Sequence, residues 1–407
     1  MNLKTKRDGL FSYYKDDNFL RYRQFCLERD ILRVAYTLFE AEKRIKKNKN
    51  IEKISIYLSE ETYQRIDIPK LKNVIKELLL LILLEDVKLQ ITAIDDSKRR
   101  VRKDVVFPQK DAIILFSAGV DSYSGIKIAE RHYKKLLGLF VAHNDQARII
   151  KIVDQIQHSI KTEIRTLYAP GMGLSGYSQL RGFLYILAAG AYCNLYKSQN
   201  ILVTECGPTM YQPLFSPYDS ITYTTHPYVL KAAKEVLDIF LDDRVNIIIP
   251  FEDLTKAEVI SNSGIKDFSN THSCVSQRFG DHDGSCFGCV IKRLACLVSD
   301  VKDTTYRSDF FHSNRYYDNL ANLLAFSSEL LNDFNGMPDY KTDKIIEFNK
   351  EDLFRRYALD NLAGFMLGAK QKRKLLKQYE TNVEELTDRI SKVRARKKKP
   401  NFEQIVK

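Results

Sequence analysis

Residues 115–125 read LFSAGVDSYSG, and the fold turns on how that stretch is parsed. It ends an apolar run, DAIILF at 111–116, with small residues, an acid and hydroxyls. A short apolar run closed by turn residues reads as a buried strand, and SYSGIKIAERHYKK beyond it carries helical periodicity. The alternation continues downstream. LLGLFVAH (136–143), TEIRTLYA (162–169), NILVTE (200–205) and VNIIIP (245–250) read as strands. ARIIKIVDQIQHSI (147–160), SQLRGFLYILAAGAYCNLY (178–196), PYVLKAAKEVLDIFL (227–241) and LTKAEVISNS (254–263) read as the helices that follow them. Five strands with helical crossovers predict an α/β fold around a five-stranded parallel sheet covered on both faces.

Ligands of such sheets gather at the carboxyl ends of the strands, near a topological switch. Ser117, Ala118, Gly119, Val120, Asp121 and Ser122 occupy that place after the first strand. Small residues let backbone N–H groups approach an anion, and the helix dipole adds to the attraction. Ser117 and Ser122 offer hydroxyl donors. Asp121 would repel a bare phosphate, so it is expected to act through Mg²⁺ or to orient the loop.

The hexamer S-A-G-V-D-S resembles the S-G-G-x-D-S pyrophosphate loop of the PP-loop ATP pyrophosphatases. That resemblance implies the adenine-nucleotide alpha-hydrolase-like (HUP) fold, and ATP cleaved between its α and β phosphates. It implies adenine near the end of the second strand, around Phe140 and Ala142. Ala118 replaces the usual second glycine, which is tolerable at negative φ.

A second cluster, THSCVSQRFGDHDGSCFGCVIKRLACL at 271–297, narrows the family. Cys286-x-x-Cys289 is a chelating pair and Cys274 lies upstream. Three thiolates and one further donor would close a tetrahedral structural zinc site. The segment resembles the zinc loop of 7-cyano-7-deazaguanine synthase (the QueC family), roughly S-C…C-G-x-C-x-x-C-x-x-R. Cys274, Gly284, Cys286 and Cys289 match, and Arg293 lies one residue late. Asp283 stands where that family has its second cysteine. His282, Asp283 and Cys296 are the candidates for fourth ligand. His282 is preferred, because imidazole commonly accompanies thiolates, and Cys296 sits on an apolar helix face.

Further pieces resemble the same family. Pro250…Leu254-Thr255-Lys256-Ala257-Glu258 matches its P-L-x-x-x-T-K-x-E segment, which implies that Lys256 faces the ATP phosphates. Arg181 matches the arginine of its R-N-x-x-F helix, with Gly182 in place of asparagine, and would hold a carboxylate or phosphate as a fork. ECGPTMYQPLFSPYDS after the fourth strand departs further. Glu205, Gly207 and Asp219 are present there, and Tyr211, Phe215 and Tyr218 either stack on a heterocycle or simply pack.

The resemblance covers about residues 110–300 of a 407-residue chain. Residues 1–107 are expected to form an α+β extension with strands at 51–59 and 87–94. Residues 108–300 form the PP-loop domain with its zinc loop at 272–296, and residues 301–407 a helical region with a basic tail. Long chains of this layout resemble components of anti-phage islands, the Qat and type IV CBASS systems. That likeness implies adenylation of a 7-deazaguanine-type carboxylate, followed by amide or nitrile formation or transfer to an amine of a co-encoded partner protein.

Two other classes stay open: a non-catalytic nucleotide-binding subunit, and a tRNA-modifying enzyme. The net charge of +12 suits an anionic partner. Residues 371–407 carry 12 Lys/Arg against 5 Asp/Glu, a tail that ordinarily is just solvated, so nucleic acid is the less favoured partner. The longest apolar run, LLLLILL at 78–84, is too short for a bilayer. No apolar segment of a secretory signal opens the chain, and seven cysteines in a long chain suit a reducing, cytoplasmic setting with metal rather than disulfides.

Overall fold

The structure is a computed structural model that describes residues 2–4, 22–45, 53–83, 87–101, 105–142, 147–168, 178–211, 224–274, 282–309, 311, 318–332, 350–368 and 382–406. Phe215, Tyr218 and Asp219 lie outside the described residues.

Elements run in this order: β1 (Asn2–Lys4), α1 (Cys26–Ile45), β2 (Lys53–Ser59), α2 (Glu60–Arg65), α3 (Ile68–Leu83) and β3 (Lys88–Ile94). The central series follows: β4 (Ala112–Phe116), α4 (Val120–Ala129), β5 (Leu136–Ala142), α5 (Ala147–Gln157), β6 (Glu163–Tyr168), α6 (Arg181–Leu195), β7 (Asn200–Leu202), α7 (Gly207–Tyr211), α8 (Pro227–Leu241), β8 (Asn246–Ile248) and α9 (Lys256–Ser263). Then come α10 (Phe287–Ser299), α11 (Asp318–Asn332), α12 (Glu351–Gly368) and α13 (Val383–Arg394).

The central sheet is five-stranded and parallel throughout, in the order β6-β5-β4-β7-β8. This is a doubly wound, Rossmann-like arrangement. The first strand of the series is the middle one, and the order reverses between β4 and β7. That reversal opens a crevice at the strands' carboxyl ends.

Alternation along each strand splits the core in two. Ile113, Leu137, Leu139, Val141, Ile201 and Ile247 face one way and pack with α6 and α8. Ala112, Ile114, Phe116, Phe140, Leu202 and Ile248 face the other way and pack with α4, α9 and α10. Buried on both sides, the inner strand β5 has all seven residues out of solvent, as a parallel inner strand must.

Each flank joins one of these cores. The amino-terminal strands form a separate parallel sheet, β1-β2-β3, and α1 and α3 pack on α6 and α8. The carboxyl-terminal helices α11, α12 and α13 extend the opposite core.

The basic tail differs from a solvated end. Asn262 Nδ2 donates to the Lys398 carbonyl at 2.8 Å, and Asn401 N donates to the Pro250 carbonyl at 3.0 Å. Ile405 pairs antiparallel with Ile248, so the tail covers the outer edge of β8. A charge run does not reveal the apolar and amide residues that tie it down.

Candidate functional site

The turn after β4 lies at the switch point. Gly119 is the N-cap of α4, in extended conformation. Ser117 N donates to Ser122 Oγ at 3.2 Å, Ser122 Oγ donates to the Gly119 carbonyl at 3.1 Å, and the two serine hydroxyls stand 3.2 Å apart. The turn is thus a closed ring of short polar contacts. Ala118 adopts φ +61° and is fully buried. The condition under which alanine is readily tolerated there, a negative φ, is not met: the sharp strand-to-helix turn demands a left-handed residue, and alanine bears the strain.

Asp121, in the first turn of α4, meets Lys256, the first residue of α9, at 2.5 Å. Helix α4 follows β4 and α9 follows β8, and the two helices pack together, which brings residues 135 positions apart into an ion pair. Lys256 keeps its proton more firmly than an ordinary lysine. Burial pulls the other way, but the charge of Asp121, helped by Cys206 and Glu205, outweighs it. Asp121 is 5% exposed, and its Oδ1 has no hydrogen-bond partner among the described residues.

Glu205 follows β7, across the switch point from Asp121. Burial, then the neighbouring Asp121 charge, pushes its carboxyl up to about 8, while Lys256 and Arg181 oppose the rise. The sequence flagged Glu205 only as a match in a poorly aligned stretch. What marks it as a site residue is the pairing of β7 with β4, which no local pattern reveals. Helix α4 approaches so closely that a Cβ on Gly125 would lie 2.5 Å from Thr204 Cβ.

Arg181 opens α6 and is half-buried; its charge reaches Glu205. The glycine after it is obligatory: a Cβ on Gly182 would lie 1.3 Å from the Thr224 carbonyl oxygen. Phe140 and Ala142 are 3% and 0% exposed. Phe116 pairs with Phe140, so Ala142 stands two residues beyond the end of β4, with the Ser117–Gly119 turn beside it. Tyr211 packs on Phe354 and donates its hydroxyl to Glu252, which makes it a packing residue.

The second cluster forms as a compact group. One donor atom each from Cys274, Asp283, Cys286 and Cys289 lies within 4.8 Å of the others, and all three cysteines are buried. Tetrahedral zinc with bonds of about 2.3 Å places sulfurs about 3.8 Å apart, and Cys274 Sγ and Cys286 Sγ are 3.9 Å apart. The donor set fits a metal such as zinc.

The fourth donor in that group is Asp283, which corrects the preference for His282. Asp283 Oδ1 accepts from Ser285 N and Cys286 N at 2.8 Å each, folding its carboxylate toward the thiols. The adjacent His282 is not part of that group; its ring lies 5.3 Å from His272 and 5.9 Å from Tyr306. Gly284 permits the reversal with φ +86°. Cys296 is core, as its helix face implied. Arg293 pairs with Asp309 at 2.9 Å and stacks over Phe311.

The two clusters touch. His272 N donates to the Ala118 carbonyl at 2.8 Å, two residues before Cys274. Lys292, fully buried, holds the same segment through the Phe268 and Thr271 carbonyls at 3.2 Å each, and pairs with Asp303 at 3.0 Å. A metal at the thiols would therefore brace the Ser117–Gly119 turn from behind. No described helix is long and apolar enough to cross a membrane. No family model matches the chain, and no curated protein matches it.

Proposed function

We propose that the protein is a PP-loop-type, ATP-dependent adenylating enzyme acting on a small heterocyclic carboxylate of the 7-deazaguanine class. The observation that carries the reading is the Lys256–Asp121 pair set against a serine-lined turn at the switch point of a doubly wound sheet. Those are an anion cradle, a fixed cation and a carboxylate with one oxygen to spare.

In this reading the ATP phosphates lie on Ser117–Ser122, with Lys256 against the charge that grows on the leaving pyrophosphate. Asp121 and Glu205 would hold Mg²⁺, which supplies further charge neutralisation when bound. Arg181 orients the substrate carboxylate. A carboxylate oxygen bonds to the α phosphorus as the bond to the bridging β-phosphate oxygen breaks, and pyrophosphate departs. An amine nitrogen then bonds to the acyl carbon, the acyl–oxygen bond breaks, and AMP departs. The amine comes from ammonia or from a co-encoded defence partner. Catalysis of this kind is mostly positioning. Zinc on Cys274, Asp283, Cys286 and Cys289 would be structural, because four protein donors leave no open position.

The test is release of AMP and pyrophosphate from ATP, Mg²⁺ and 7-carboxy-7-deazaguanine, with Asp121→Ala as control. Substrate-dependent AMP that the substitution abolishes is expected. ATP binding without AMP release, with or without a co-encoded partner, would overturn the reading in favour of a non-catalytic nucleotide-binding subunit.

A further inference from the structure

The residues beyond 300 reach the site through a buried polar cluster centred on Arg389. Arg389 of α13 donates from Nη1 to Glu258 Oε1 at 2.8 Å, from Nε to Asp360 Oδ1 at 2.8 Å and from Nη2 to Asp360 Oδ2 at 3.0 Å. Its Nη2 also lies 3.3 Å from Thr255 Oγ1. Thr255 and Glu258 are the two halves of the capping box that starts α9. Thr255 Oγ1 accepts from Glu258 N, and Glu258 Oε2 accepts from Thr255 N. Lys256 follows Thr255 and is the first residue of the helix. Arg356 of α12 pairs with the other oxygen of Glu258. The guanidinium of Arg389 therefore grips both side chains of the box that fixes the direction in which Lys256 leaves the backbone.

We infer that Arg389 is a positioning residue for Lys256, and that the carboxyl-terminal helix serves to seat the lysine against Asp121. A capping box satisfies two of the four free N–H groups at a helix start, and Arg389 fixes the two side chains that do so. Thr255, Glu258 and Asp360 are each at most 4% exposed, and a planar five-donor fork is the group able to satisfy all three at once. Lys256 pairs with Asp121 whatever the site does, so the role of Arg389 does not depend on adenylation.

The experiment measures acylation of lysines by a soluble anhydride, residue by residue, by mass spectrometry of the full chain. Lys256 should label slowly in the parent protein, since an ion-paired, protonated amine is a poor nucleophile. Arg389→Lys keeps the charge and loses the fork, and should raise labelling of Lys256 at least threefold. Fully buried Lys292 is the internal control for general loosening and should not change. Arg389→Gln should raise Lys256 labelling further if it folds, and Asp360→Asn offers the same test from the partner side. Unchanged Lys256 labelling in folded Arg389→Lys protein would overturn the inference, as would a parallel rise at Lys256 and Lys292. If wild type makes no AMP, the adenylation reading fails while the labelling result still decides the role of Arg389.

Discussion

At the scale of single residues, three positions make the site region's demands measurable. Glu205 holds its proton up to about pH 8 in the folded chain, against an ordinary value of 4.5. Between those limits the folded state binds more protons than the unfolded one, so stability is greatest below the lower limit and falls as pH rises through the upper one. Thermal midpoints from pH 5 to 9 in magnesium-free buffer should show that decline, and Glu205→Gln should flatten it. Identical slopes in the two proteins would contradict the assignment. Gly182→Ala is a steric test, because its methyl would sit inside the Thr224 carbonyl and force two backbones apart. A loss of at least about 2 kcal/mol is expected from overpacking a site that cannot yield, read as a lower urea midpoint. Ala118 is a balanced case. A left-handed alanine costs about 1 kcal/mol, yet its buried methyl contributes about 0.8 kcal/mol, so Ala118→Gly should leave stability nearly unchanged.

At the scale of elements, the central strands and helices were legible because β4 to β8 and their crossovers obey simple periods. The Ser117–Ser122 turn was legible because strand, small residues and helix follow one another in the chain. What sequence could not reveal is contact across long separations. Glu42 of α1, fully buried, accepts from Ser178 Oγ at 2.8 Å, Gln179 N at 2.5 Å and Leu180 N at 2.9 Å. It thereby pins the turn that leads into α6, the helix that Arg181 opens, from 136 residues upstream. A glutamate near the end of an amphipathic helix gives no hint of such a role. The choice between His282 and Asp283 was equally opaque, since two adjacent donors are equivalent in sequence and only the folded turn decides which donor atom joins the thiols. Charge-assisted bonds are worth about 1.5–3 kcal/mol each when a buried partner is left unsatisfied. Glu42→Ala should therefore cost at least about 2 kcal/mol in denaturant unfolding. A surface-like change of a few tenths would mean that the α6 N-terminus finds other acceptors.

At the scale of the whole molecule, the two flanks clamp the central sheet from opposite faces, and the carboxyl-terminal residues do two separable jobs. Val406 N donates to the Ile247 carbonyl at 2.9 Å and Ile249 N to the Gln404 carbonyl at 3.0 Å, which closes the open edge of β8. Arg389 meanwhile neutralises Glu258 and Asp360. Deleting residues 403–407 opens the edge and leaves the buried charges paired. That protein should fold, and should self-associate with rising concentration, because an uncovered strand edge invites pairing with another chain. Light scattering after size exclusion would show it. Deleting residues 382–407 also strips the cation from buried Asp360 and leaves Glu258 with Arg356 alone, a loss of about 3–5 kcal/mol when one partner of a buried pair is removed. Against a total stability of roughly 5–15 kcal/mol, that deletion should move much of the chain to the insoluble fraction, and Asp360→Asn should recover part of it by removing the stranded charge. Equal solubility of the two deletions would show that the sheet edge, and not the ion network, is what the tail protects.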